Sequence, residues 1–281
     1  MLVRFGVTNF TTGPTVYRAL RSADLPVPDG LRLRCCSSAG EPLAPDVIDW
    51  AEQQLGVTVR DHYGQTETGM TVANAWHPDL IDDVVPGSMG RALPGWTIEI
   101  LDGDSPAPDG ATGRVAVDLT RSPLMAFTGY RTAPERTAER FTGDGRRYLT
   151  GDVASRTADG RLAFGSRDDD VILMAGYRIG PFEVETVLAR HPAVLEAAVV
   201  GEPDELRGEV VVAHVVLGPD ADADADATEL IAWCRERLAR FKVPERVLVR
   251  TELPRTSVGK IRKDVLRAEL IAEDHKNGPV R

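Results

Sequence analysis

An α/β fold with a β-rich middle and a second, smaller α+β unit is what this sequence predicts, and three observations predict it. Residues 1–88 alternate strand-like runs with helical ones, the pattern of strands and helices layered around one core. Residues 89–166 are richer in Gly, Pro and short alternating strands, which predicts a small β-barrel or a meander. From about Asp170 a second alternation of strand and helix begins.

Taken in order, strands are predicted at 6–10, 31–37 and 58–63, with helices at 15–21 and 45–55 between them. Short strands follow at 96–101 and 114–119. Asp159-Gly160 separates two more, 153–156 and 161–164, and Asp-Gly favours the positive φ angles of a two-residue hairpin turn. Residues 171–174 read as a buried strand that Gly176 breaks. Pro181 then opens a helix at its first turn, with Val184, Val187, Leu188 and His191 at helical spacing. Strands at 197–201 and 210–217 precede helices at 229–240 and 261–272. The Asp-Ala tract at 220–226 reads as a solvated loop.

A length of 281 residues accommodates one large or two medium domains. A hydrophobic fraction of 42% is that of a soluble globular chain, and no apolar run reaches the length of a membrane span. The first ten residues lack a signal-peptide core. Cys35, Cys36 and Cys234 are few, odd in number and not at metal-ligand spacing, so they are expected reduced, in the cytoplasm. A net charge of −10 argues against nonspecific nucleic-acid binding. An anionic nucleotide would need local positive charge.

The densest chemistry lies between Tyr148 and Glu185. Asp152, Arg167, the run Asp168-Asp169-Asp170 and Arg178 fall within one short span. The hairpin at Asp159-Gly160 is expected to bring Asp152 and Arg167 near each other. A carboxylate can accept both hydrogen bonds of a ribose diol, and a guanidinium offers a rigid fork of donors. The bland alternative is a surface salt bridge across the hairpin, worth little.

These residues carry a resemblance. The segment Gly176-Tyr177-Arg178-Ile179-Gly180-Pro181-Phe182-Glu183-Val184-Glu185 resembles the hinge region of the adenylate-forming superfamily, and its wording is most similar to the medium-chain acyl-CoA synthetase branch. The likeness extends upstream to Ser38-Ala39-Gly40-Glu41-Pro42, to Asp61-His62-Tyr63-Gly64-Gln65-Thr66-Glu67, and to Gly129-Tyr130 with Pro134-Glu135 and Thr137-Ala138. Downstream it includes Leu253-Pro254-Arg255-Thr256-Ser257-Val258-Gly259-Lys260.

The resemblance implies a division into residues 1–167, the C-terminal part of a large AMP-binding domain with its β-barrel-like subdomain at 89–166, and residues 168–281, a small mobile lid. It implies ATP/AMP, Mg²⁺ and coenzyme A as ligands and a small carboxylic acid as substrate. Gly40, Glu41 and Pro42 would line the adenine, with Asp61, Gly64 and the ring of Tyr63 in the same pocket. Asp152 and Arg167 would hold the ribose hydroxyls. Thr66 would meet the α-phosphate and Glu67 the Mg²⁺, a hard cation that takes carboxylate oxygen. A polar strand-to-helix turn capped by Thr66 or Thr68 is the alternative for that string. Asp169 would be the hinge, with Asp168 and Asp170 as solvated charges. Arg178, expected in a loop, would approach the phosphates, and Ala175 and Gly176 would face the pantetheine of coenzyme A. Lys260 would be the catalytic lysine, neutralising charge as carboxylate and α-phosphate meet. His62 and His77 read as structural.

The chain carries no Gly-rich phosphate loop ahead of Thr12-Gly13-Pro14-Thr15. The resemblance therefore covers about the second half of a usual member, and the expectation is a truncated or split form that binds AMP-like ligands weakly and does not turn over ATP. Two further readings stay open: an adenylation unit that loads a carrier protein, and a non-catalytic AMP-binding remnant that pairs with a separate N-terminal half or acts only as a binding module. The acid is expected to be medium-chain or aromatic.

Overall fold

The computed structural model describes residues 1–23, 25–41, 43–218, 226–256 and 259–277. It divides into two compact units, Met1–Phe164 and Gly165–Arg281.

In the first unit, β1 (Asn9–Thr12), β2 (Cys35–Ala39) and β3 (Val59–Gln65) pair in parallel. Two helices connect them, α1 (Pro14–Ser22) and α2 (Pro45–Leu55). Both begin on a proline, whose fixed φ suits the first helical turn and whose missing N–H costs nothing there. Gly56, at φ 68°, ends α2 in the left-handed conformation that glycine adopts without penalty. Tyr17 of α1 and Val47, Ile48 and Ala51 of α2 pack on Cys36 and Val59 of the sheet. Buried Tyr17 donates its hydroxyl proton toward the carbonyls of Phe10 and Ser37, both at 3.1 Å, which locks α1 over β1 and β2.

Sequence reading missed the next two strands. β4 (Gly69–Ala73) turns back antiparallel on β3, and β5 (Ser88–Ala92) continues antiparallel to β4. The Tyr63–Glu67 string therefore ends in a strand-to-strand turn. The helix cap entertained for Thr66 or Thr68 does not form; Thr68 instead closes the turn through its backbone N–H to the Gln65 carbonyl at 3.2 Å.

The β-rich segment supplies β6 (Ile98–Asp102), β7 (Ser105–Pro106), β8 (Thr112–Asp118), β9 (Arg147–Arg156) and β10 (Leu162–Arg167). These prolong the same ten-stranded path in the order β1-β2-β3-β4-β5-β10-β9-β8-β6-β7, the meander form of the expectation. Short α3 (Pro134–Ala138) lies in the connection from β8 to β9. Tyr63, Val72, Met89, Ile100, Val117 and Tyr148 share one core, so the strand that carries the Tyr63 string is packed against the strands beside Asp152.

The second unit has a five-stranded sheet. β11 (Ile172–Met174), β12 (Tyr177–Ile179), β13 (Val194–Asp204) and β14 (Gly208–Leu217) run in the order β12-β11-β14-β13, and β15 (Arg246–Arg250) pairs in parallel with β14. α4 (Pro181–Ala189) and α5 (Ala227–Arg237) pack their buried Val184, Leu188, Leu230 and Cys234 on one face. α6 (Lys263–Asn277) buries Leu266 and Leu270 on the other. Asp226 caps α5 by accepting the N–H groups of Thr228 and Glu229 at 2.7 and 2.9 Å. The rest of the Asp-Ala tract lies outside the described residues.

Candidate functional site

The first unit gathers a polar cluster where β3 meets β9. Asp152 on β9 is 4% exposed. Its Oδ2 accepts the Tyr63 hydroxyl at 2.6 Å and the Gln65 Nε2 at 2.7 Å. Gln65 also donates to the Thr150 carbonyl at 2.8 Å and accepts the Tyr148 hydroxyl at 3.2 Å. The Thr150 hydroxyl in turn accepts the Asp152 N–H at 3.1 Å. A buried carboxylate costs several kcal/mol unless donors compensate it, and here two side-chain donors converge on one oxygen. Sequence reading singled out Tyr63 and Asp152 but gave no role to Gln65, Tyr148 or Thr150. Gln65 stands inside the Asp61–Glu67 string, and a polar amide at the end of a predicted strand was the available signal.

Gly64 is fixed by sterics. A Cβ there would collide with the backbone of Gly69 and Met70 across the β3–β4 turn. Only glycine permits that approach, which brings the Thr66–Glu67 turn close to the sheet. Thr66 is exposed at the tip of the turn. Glu67 Oε1 accepts the Tyr130 hydroxyl at 2.7 Å. That bond, followed by the Arg140 and Arg136 charges, holds the Glu67 carboxyl below its usual range against the opposing effect of burial.

Asp61 lies two residues before Tyr63. Burial pushes its carboxyl up to about 7, although the His62 N–H, at 3.1 Å from Oδ1, and the Leu43 N–H partly offset this. Burial, then the nearby Arg60 charge, lowers the His62 imidazole, in keeping with a structural role. Gly40, at φ 93°, follows β2 directly and opens the loop toward α2. The Glu41 carboxylate accepts the Thr15 hydroxyl at 2.8 Å and Arg18 Nη2 at 3.1 Å, so its side chain ties the loop to α1. Pro42 lies outside the described residues.

In the second unit, Asp168–Asp170 form one 3₁₀ turn after β10. Arg167 Nε donates to Asp169 at 3.3 Å. Two expectations are corrected here. Asp170 is not a solvated charge: it pairs with Arg267 of α6, and long-range folding creates that pair. Arg178 is not in a loop: it lies on β12, 60% exposed, with Nη2 3.4 Å from Asp168. The reason is the turn before it. Ala175 and Gly176 adopt φ 49° and 87°, the two positive angles of a tight hairpin turn, so Gly176 reverses the chain into a second strand rather than ending a lone one. The Ala175 N–H donates to the Arg207 carbonyl at 2.7 Å, fixing the turn to the sheet.

Lys260 sits in a small loop closed on itself. The Thr256 N–H donates to its carbonyl at 2.8 Å, and its own N–H donates to the Thr256 hydroxyl at 3.1 Å. Arg255, paired with Glu196, donates to the Gly259 carbonyl at 2.6 Å. Lys242 and Lys263 are ion-paired with Glu183 and Glu185, whereas the Lys260 ammonium has no partner among the described residues. Ser257 and Val258 lie outside the described residues.

The residues suit the implied ligands. Among the described residues no three His, Cys, Asp or Glu side chains cluster as a metal cage. Among the described residues, Glu67 receives the Tyr130 hydroxyl on Oε1 and no other side chain on Oε2. A lone carboxylate with a free oxygen is how Mg²⁺ is held when phosphates and water supply its other ligands. No helix among the described residues is long and apolar enough to cross a membrane.

Comparison with known proteins converges on one group. The model of the AMP-binding enzyme family matches residues 1–130, and that of the AMP-binding enzyme C-terminal domain matches residues 183–260. The human mitochondrial acyl-coenzyme A synthetase ACSM4 is 40% identical over 271 residues, covering 95% of this chain and 46% of its own length. The rat mitochondrial synthetase ACSM3 is 39% identical over the same extent. The chain spans about half the length of the curated relatives it matches. Among solved structures, the anthranilate CoA ligase AuaEII in complex with anthranoyl-AMP superposes with a TM-score of 0.86 at 32% identity, covering 97% of this chain and 52% of that one. ATP-bound MatB from Rhodopseudomonas palustris gives 0.82 at 32% identity, covering 94% and 51%.

Proposed function

This chain belongs to the AMP-binding enzyme family, and from that premise we propose that it carries the nucleotide-binding cluster and the lid of an ATP-dependent carboxylic acid:coenzyme A ligase. The observation that carries the reading is the buried Asp152 carboxylate, held by Tyr63 and Gln65 of β3. Asp152, with Arg167, holds the ribose hydroxyls. The backbone at Gly40 and Glu41, with Asp61, Gly64 and the Tyr63 ring, borders the adenine. Thr66 meets the α-phosphate. Glu67 holds Mg²⁺, which when bound neutralises phosphate charge.

In the first half-reaction a carboxylate oxygen of the acid bonds to the α-phosphorus of ATP while the bond to pyrophosphate breaks. Lys260 supplies the positive charge that lets the two anions approach. That its ammonium has no partner among the described residues supports this role. In the second half-reaction the coenzyme A sulfur bonds to the acyl carbon and AMP leaves. The Ala175-Gly176 turn faces the pantetheine, Arg178 serves the phosphates, and rotation about Asp169 exchanges the two tasks of the second unit. The acid is medium-chain or aromatic; the likeness to an anthranilate ligase supports an aromatic acid. The compartment is the cytoplasm, on the strength of three free cysteines, although the mammalian relatives are named as mitochondrial.

Mixing the purified chain with a synthetic acyl-adenylate and coenzyme A tests the reading. Formation of acyl-coenzyme A and AMP supports it. Hydrolysis at the rate of a protein-free control contradicts it.

A further inference from the structure

The Gly129-Tyr130 and Pro134–Ala138 string stands out in the sequence, yet none of the roles above uses it. Its geometry gives it one. Gly129 takes φ 145°, and a Cβ there would press on the Thr137 side chain. The Thr137 hydroxyl accepts the Tyr130 N–H at 2.9 Å and donates to the Ala133 carbonyl at 2.9 Å. α3 thus fastens the backbone of Tyr130. Phe127 meets the Tyr130 ring edge-on at 5.0 Å, and the Arg136 guanidinium lies 4.4 Å from the ring centroid. Backbone clip, aromatic neighbour and cation together leave the ring a single orientation. In it the hydroxyl reaches Glu67, 63 residues earlier in the chain, at 2.7 Å.

We propose that Tyr130 is the positioning residue for Glu67: its hydroxyl occupies Oε1 and turns Oε2 out as the oxygen offered to Mg²⁺. The inference rests on the reading of Glu67 as the Mg²⁺ ligand and deepens it. A carboxylate on a short exposed turn otherwise samples several rotamers, and each lost rotamer costs affinity when the ion binds. Groups that orient a metal ligand through its second oxygen act on affinity without touching the ion. The chemistry suits a hydroxyl. It donates one hydrogen bond, adds no charge of its own, and leaves the carboxylate anionic for a hard cation.

The test uses the full chain, Mn²⁺ as a spectroscopic stand-in for Mg²⁺, and three proteins: the unaltered chain, Tyr130→Phe and Glu67→Gln. Retention of Mn²⁺ in the presence of ATP is read from the free-ion paramagnetic resonance signal. Metal-free AMP affinity is read by calorimetry. We expect Tyr130→Phe to weaken Mn²⁺ retention by about tenfold, Glu67→Gln to weaken it at least as much, and neither to change AMP affinity. If Tyr130→Phe retains Mn²⁺ like the unaltered chain while Glu67→Gln does not, the positioning role is overturned and the Glu67 reading stands. If Tyr130→Phe weakens Mn²⁺ and AMP binding together, Tyr130 merely supports the fold and the proposal is overturned. If Glu67→Gln changes nothing, or the unaltered chain retains no Mn²⁺, the Glu67 reading falls and takes the proposal with it.

Discussion

The Tyr63 hydroxyl donates a 2.6 Å hydrogen bond to the buried carboxylate of Asp152, across 89 residues of sequence. One end of the bond stands on the strand that leads into the Thr66–Glu67 turn, the other on the strand that leads into the Asp159-Gly160 hairpin. The bond ties the two motifs most suggestive of a nucleotide into one rigid part.

Tyr63→Phe removes one donor to Asp152 Oδ2 and leaves the Gln65 amide on the same oxygen. Losing a hydrogen bond to a buried charged group costs about 1.5–3 kcal/mol. Chemical denaturation of the first unit's tryptophan signal is expected to show a loss of that order. No change in stability would mean that water replaces the hydroxyl freely.

Gly64→Ala puts a methyl group into the backbone of Gly69 and Met70. Overpacking of this kind costs about 1–3 kcal/mol. The expected result is a lower melting temperature together with loss of AMP binding, because the β3–β4 turn must open. Unchanged binding would show that this turn is not part of the nucleotide site.

Lys260→Ala is expected to slow acyl-adenylate formation by about a hundredfold or more, in any preparation that performs that step. It should leave transfer from a supplied acyl-adenylate to coenzyme A within a fewfold of the unaltered rate. Equal losses in both half-reactions would refute the assignment of Lys260 to the first alone.

His214 on β14 is fully buried, and its Nδ1 accepts Arg250 Nε at 2.9 Å. Burial, then the Arg250 and Arg246 charges, lowers its imidazole to about 4. The unfolded chain takes up this proton near the ordinary histidine value, whereas the folded chain refuses it until about 4. The stability contribution is therefore complete above about pH 6.5 and is lost as pH falls toward 4, by about 3 kcal/mol in all. Urea midpoints at a series of pH values check this. His214→Gln, which keeps an acceptor for Arg250, should flatten the profile in that window.

Much of this architecture is legible in the sequence because local chemistry dictates it. α2 was bounded at both ends: Pro45 opens it and Gly56 closes it in the left-handed conformation. The Asp159-Gly160 turn follows from the same preference. What escaped was non-local or chemically atypical. Ala175 takes a positive φ that alanine rarely adopts, so the β11–β12 hairpin was hidden and Arg178 was expected in a loop. β4 follows a turn of Thr66, Glu67 and Thr68 that carries none of the usual hairpin residues. The Asp170–Arg267 pair joins residues 97 apart, and no local pattern announces it. Gln65 shows the same limit: its partners Thr150 and Asp152 lie more than eighty residues away.

Whether Asp152 grips the ribose of an adenine nucleotide is read from calorimetric titration of AMP into the unaltered chain and into Asp152→Asn. Saturable one-site binding to the unaltered chain is expected, with a weakening of about tenfold or more in Asp152→Asn and both proteins folded by circular dichroism. Equal AMP affinity in the two folded proteins, or no binding to either, would contradict it.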